Sequence, residues 1–170
     1  AEFSISGNCI KGIKGSKHEI QRYHDFLIHQ DFNVIVNYAA QTWCTDLIFY
    51  ILDKVKSKKI FIPCGYSRLK SHAYKDYFRI LPKFLKSYDR IVYMSQFYQD
   101  YVYGNQHGFE QKAVIIPNGA GNEFMNVSLD FKKEYGIDAE HMLLTVANHY
   151  FAKGHQFVID AFIRMKQKNV

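Results

Sequence analysis

The sequence predicts an α/β protein built from Rossmann-like parallel sheet units, and three observations carry that expectation. From Asp31 onward, short β-branched or aromatic runs alternate with longer helical patterns, as βαβ units do. The runs are nearly continuous in apolar residues, which is how strands covered on both faces read. The residues that follow them are small, polar or glycine, as expected at the carboxyl edge of a sheet where ligands bind.

The elements follow in order. The chain opens on strand-like "EFSIS" (2–6), then shows a helical pattern at "SKHEIQRYHDFLIHQ" (16–30). There Ile20, Tyr23 and Leu27, with His24 beside them, recur at offsets of three and four and make one apolar stripe. Strands are expected at "FNVIVNYA" (32–39), "KIFIPC" (59–64), "RIVYMS" (90–95), "AVIIP" (113–117) and "MLLTVA" (142–147). Helices are expected at "TDLIFYILDKVKS" (45–57), "AYKDYFRILPKFLKSY" (73–88), "QFYQDYVYGNQ" (96–106), "VSLDFKKEYG" (127–136) and over 153–168. Pro82 should kink or divide the helix over 73–88, because it lacks an N–H and crowds the preceding turn.

With 170 residues, 48% apolar and 22% charged, the chain can fill a core and is not of disordered composition. Its net charge of +6 favours phosphates, nucleic acid or an anionic membrane as partners without choosing among them. Cys9, Cys44 and Cys64 are odd in number and lack any CxxC spacing, which points to reduced thiols in a cytoplasmic setting. No HExxH or Cys/His ligand spacing occurs, so no metal is expected. No apolar run approaches the roughly 18 residues of a membrane span, and the start lacks the order of a signal peptide. Both ends read as cut, so a piece of a longer protein is expected.

The residues after the strands are "AAQTW", "CGYSRL", "SQF", "NGAGNEF" and "NHYFAKG". Gly65 and Gly119 suit close backbone approach or positive φ, as diphosphate binding needs. G-x-G-x-x-G, the P-loop and the G-x-S-x-G elbow are all absent, which narrows the chemistry from redox or hydrolysis towards group transfer. The last helix opens on Lys153, Gly154 and His155, where Ser, Thr, Asp or Asn and acidic residues are the usual choice. A cation there costs roughly 0.3–1 kcal/mol. Either Lys153 reaches into solvent or an anion completes the site.

"VIIPNGAGNEF" (114–124) followed by "LLTVANHYFAKGHQFVIDAF" (143–162) resembles, in order and spacing, the interdomain crossing and first C-terminal βα unit of retaining GT-B glycosyltransferases of the family 4 type. "FNVIVNYAAQTWCTDLIFYIL", "KKIFIPCGYSRL" and "YDRIVYMSQFYQDYV" are similar to the second half of their N-terminal domain. The resemblance implies that 1–120 is the later part of an acceptor-side domain and 121–170 the start of a nucleotide-sugar donor domain. It implies sugar transfer with retention from a nucleotide-sugar to a glycan or lipid-linked acceptor, without metal. It also implies donor contacts at Lys153, Asn148, Gly154, Gly119 and Gly65, with Lys153 and the adjoining helix start facing the diphosphate. Asn148 stands where the family usually has Arg, so a charged bidentate clamp is missing. The family's His after the second N-domain strand is replaced by Cys64, Gly65 and Tyr66; His72 and His149 are candidate stand-ins that lack its position. The catalytic residues, including the paired glutamates, are expected beyond Val170.

Two further readings stay open. Lys75, Arg79, Lys83 and Lys86 interleave with Tyr77, Phe78, Leu81 and Phe84 over 74–90, which suits either peripheral contact with an anionic membrane or a helix packed on the sheet with solvated cations. A non-catalytic sugar or nucleotide-sugar binding module is the alternative function. A nucleic-acid binder lacks the expected aromatic motif and Arg stripe.

Overall fold

The computed structural model describes residues 1–124 and 130–167. Contacts divide the chain into two compact units, Ala1–Ala120 and Gly121–Val170.

The first unit begins with a hairpin of β1 (Ser6–Asn8) and β2 (Gly12–Lys14), paired antiparallel. Its turn is set by Asn8, whose side-chain oxygen accepts from the amides of Ile10 and Lys11. Helix α1 (Lys17–His29) starts at Ser16, which caps the Glu19 amide, and it buries Tyr23 and Leu27. Ile20 and His24 are half-buried beside them.

The sheet is parallel, with strands in the sequential order β3 (Val34–Tyr38), β4 (Lys58–Ile62), β5 (Arg90–Tyr93) and β6 (Ala113–Ile115). The helices between them are α2 (Trp43–Ile48), α3 (Lys75–Leu85) and α4 (Gln99–Gln106). Right-handed crossovers that always step the same way place their helices on one face. The core therefore gathers Ile35, Phe61, Ile91 and Tyr93 from one sheet face with Leu47, Ile48, Leu81, Leu85 and Tyr103 from the helices. The alternate residues of β3, Val34, Val36 and Tyr38, are exposed, as is Val114 of β6. The apolar strands predicted coverage on both faces; the main core forms on one, while on the other Val92 is buried and Ile60 and Ile62 are half-buried.

Pro82 does not divide α3, which runs unbroken from Lys75 to Leu85. The carbonyl that Pro82 leaves without an intrahelical donor is that of Phe78, and the Tyr103 hydroxyl donates to it. The helix expected over 45–57 is α-helical only to Ile48. Beyond it, Tyr50, Ile51 and Lys54 donate to carbonyls three residues back, a tighter winding that suits the β-branched and aromatic run.

The second unit holds a short helix α5 (Phe131–Glu134), capped by Asp130, and α6 (His155–Gln167). The start of the helix expected over 127–136 and the end of that over 153–168 lie outside the described residues. Residues 142–147 are not a strand. A strand exists through pairing, and the described residues of this unit offer no second strand to it. Leu143, Leu144 and Val146 are exposed as a result.

Candidate functional site

All four non-glycine residues with positive φ among the described residues lie at the carboxyl ends of β3 and β4: Ala39, Gln41, Cys64 and Arg68, with φ from 56° to 68°. Such conformations cost roughly 1–3 kcal/mol each and persist only where their surroundings impose them. Here the imposing contacts are visible. Gln41 exchanges two hydrogen bonds with Ser67, donating from Nε2 to its carbonyl at 2.9 Å and accepting its amide on Oε1 at 2.8 Å. Asp100, from the first turn of α4, accepts the amides of Gly65 and Tyr66, both at 2.7 Å. Gln99 donates to the Tyr66 carbonyl at 2.7 Å. Three side chains from two other elements thus hold the backbone of residues 65–67.

Burial of Asp100 raises its carboxyl above the ordinary 3.8, and the two amides work in the opposite direction. The Tyr38 phenol is raised chiefly by the neighbouring Cys64 thiol. A cleft of about 410 Å³ opens beside these loops, lined by Cys64, Gly65, Met94, Ser95, Tyr98 and Asn118 among others. Below it, Gly104 of α4 lets the Tyr93 ring approach, since a Cβ there would fall 2.0 Å from the Tyr93 hydroxyl.

A second anchored cluster ties the hairpin to the helices. Asp46 of α2, fully buried, accepts the Cys9 amide at 2.9 Å and the Tyr77 hydroxyl at 3.1 Å. Burial raises its carboxyl; Cys9 is an exposed residue, yet partial desolvation of its thiol together with Asp46 pushes that thiol up to about 12.

The glycines expected to approach a ligand divide. Gly65 has φ of 100° and lines the cleft, but its amide is committed to Asp100 rather than open to a diphosphate. Gly119 has no positive φ, and a Cβ on it would meet nothing within 4 Å, so no conformational need for glycine exists there.

In the second unit, the cation does not open the helix itself. Lys153 closes a 3-10 turn (Phe151–Lys153), Gly154 takes the left-handed conformation with φ of 76°, and α6 begins at His155. The Asn148 carbonyl accepts from the Tyr150 amide at 2.7 Å and faces His155 Nε2 at 3.2 Å, while the His149 and His155 rings stack 5.0 Å apart. The Asn148 carbonyl therefore lies against the first residue of α6, just after the turn that holds Lys153 and Gly154. No acidic residue occupies the first turn of α6, and the His155 and Gln156 amides donate to no described residue.

Gln41, Gln99, Asp100 and Arg68 were not singled out in the sequence. Asp100 in a first helical turn reads as an ordinary helix-start residue, and nothing local signals an acceptor for amides 34 and 35 residues away. Among the described residues no group of three or more His, Cys, Asp or Glu side chains is placed to hold a metal ion. No helix among them is long and apolar enough to cross a membrane.

No protein-family model, curated protein or solved structure matches this chain. What stands is a mixed α/β protein with a four-stranded parallel sheet flanked by helices, compatible with Rossmann-like units.

Proposed function

We propose that this chain is part of a retaining glycosyltransferase of the GT-B type, with 1–120 on the acceptor side and 121–170 opening the nucleotide-sugar domain. The observation that carries the reading is the start of α6. Its first amides have no acidic cap, Gly154 turns the chain into them, and Lys153 precedes them. An anion placed there would meet N–H donors, the positive end of the helix dipole and an ammonium group together. In the transfer reaction that anion is the departing nucleoside diphosphate, whose charge Lys153 and the α6 amides would stabilise. The anchored loops after β3 and β4 would then shape an acceptor site for a glycan or a lipid-linked sugar.

Calorimetric titration with UDP, GDP and ADP tests this. Binding of one of them, weakened about tenfold by Lys153→Ala, is the expected result for loss of one charge-assisted contact. Equal affinity of the variant and the wild type would remove the assignment. Asn148, in place of a charged clamp, favours a second reading as a nucleotide-sugar binding module without turnover. Binding with no transfer by the longest natural form of the protein would select it.

A further inference from the structure

We infer that the cleft bounded by residues 69–78 is a binding site for a phosphate group carried by a second molecule. Three observations lead there. First, residues 64–75 hold Arg68, Lys70 and Lys75, together with His72, and contain no acidic residue. None of these four side chains pairs with a carboxylate among the described residues, and the next acid, Asp76, is engaged by Arg79 at 3.1 Å. Unneutralised cations gathered in one loop raise the local concentration of anions.

Second, Lys70 and Lys75, with His72 between them, border a depression rather than a convex surface. Lys70, Ser71, His72 and Lys75 line a cleft of about 340 Å³ with Leu69 and the buried ring of Phe78 as its apolar wall. Two ammonium groups, a hydroxyl and an imidazole supply donors for a tetrahedral oxyanion, and the wall suits the uncharged part of the molecule that bears it.

Third, the loop that presents them is held before any ligand arrives. Its backbone at residues 65–67 is fixed by Asp100, Gln99 and Gln41, and Arg68 is kept at φ of 57°. The Ser71 amide then closes a turn onto the Arg68 carbonyl at 2.9 Å. Fixing a loop in advance lowers the ordering cost of binding, which is how sites gain affinity from few contacts.

Phosphate binding stands on this geometry alone. That the phosphate belongs to the sugar acceptor rests on the glycosyltransferase reading.

The test is an amide-resolved NMR titration of the 170-residue chain with inorganic pyrophosphate, repeated on Lys70→Ala/Lys75→Ala and on Lys153→Ala. Both altered lysines of the double variant are exposed, so its fold should be retained and is checked by its own spectrum. The expected result is a set of shifts over 68–78 that weakens about tenfold or more in the double variant and persists in Lys153→Ala. Flotation with phosphatidylglycerol and phosphatidylcholine vesicles then names the source. Binding to the anionic vesicles that the double variant loses indicates a lipid-borne phosphate, and its absence with the pyrophosphate shifts intact indicates a soluble one. Shifts confined to 148–156, or shifts over 68–78 undiminished in the double variant, would overturn the inference. The first of these leaves the donor assignment standing, and loss of the 148–156 response alone leaves this one standing.

Discussion

Gln41 and Ser67 exchange two hydrogen bonds across the carboxyl ends of β3 and β4, so the two loops that follow these strands are tied together. Both residues sit beside strained positions, Gln41 itself at φ of 58° and Arg68 at φ of 57°. Gln41→Ala removes both bonds at a partly exposed site. A loss of about 0.5–2 kcal/mol is expected in urea unfolding, with faster amide exchange at Ser67. Unchanged exchange at Ser67 would mean that the loop is held without this pair.

Asp100 is the stronger anchor of the same loop. Asp100→Ala strands the Gly65 and Tyr66 amides, and Tyr66 is buried. The expected destabilisation is about 1–3 kcal/mol, larger than that of Asp100→Asn, which keeps one acceptor oxygen. Urea unfolding of the two variants side by side measures the difference; equal values would contradict the two-amide account.

Tyr103 and Pro82 should be coupled. The Tyr103 hydroxyl supplies the donor that Pro82 denies to the Phe78 carbonyl. Tyr103→Phe alone is expected to cost about 1–3 kcal/mol by leaving that buried carbonyl unmet. In Pro82→Ala the helix amide can return, so the same substitution should cost less. A double-mutant cycle with no coupling energy would show that the two residues act independently.

Asp46 makes stability depend on pH in a direction opposite to that of most native carboxylates. Burial raises its folded value above 3.8, so between the unfolded and folded values the native state holds more protons than the unfolded one. Its stabilising contribution is complete below the unfolded value and is lost as pH rises through the folded one. Asp100 shares this sign, whereas Asp89, lowered mainly by the Lys59 amide, contributes stability that is lost as pH falls. Unfolding free energies of wild type and Asp46→Asn, compared upward from about pH 4, should show a smaller decline in the variant. The Cys9 thiol, raised to about 12, should alkylate slowly at pH 8 and faster in Asp46→Asn.

The sheet was legible because its strands are written as β-branched runs between turn residues. Val34–Tyr38, Lys58–Ile62, Arg90–Tyr93 and Ala113–Ile115 all fall where those runs stand. Ser6–Asn8 and Gly12–Lys14 were not legible as a pair, since three-residue strands containing glycine carry neither alternation nor length. Residues 142–147 have strand composition but lack a neighbour to pair with, which composition cannot reveal. The fate of Pro82 depended on a tyrosine in another helix. For the site, Gly65 stands out as a glycine free to take positive φ, yet the use of its amide is decided by Asp100, and Lys153 stands two residues before α6 begins. Local propensity names the loops; contacts between distant residues decide what the loops offer.

The central claim is tested most directly by mapping, residue by residue, where a nucleotide-sugar touches the chain. An amide-resolved titration with UDP- and GDP-linked sugars should move residues 148–158, with Lys153→Ala abolishing or shrinking the response. Saturating concentrations that leave 148–158 unmoved would contradict the donor assignment and with it the glycosyltransferase reading.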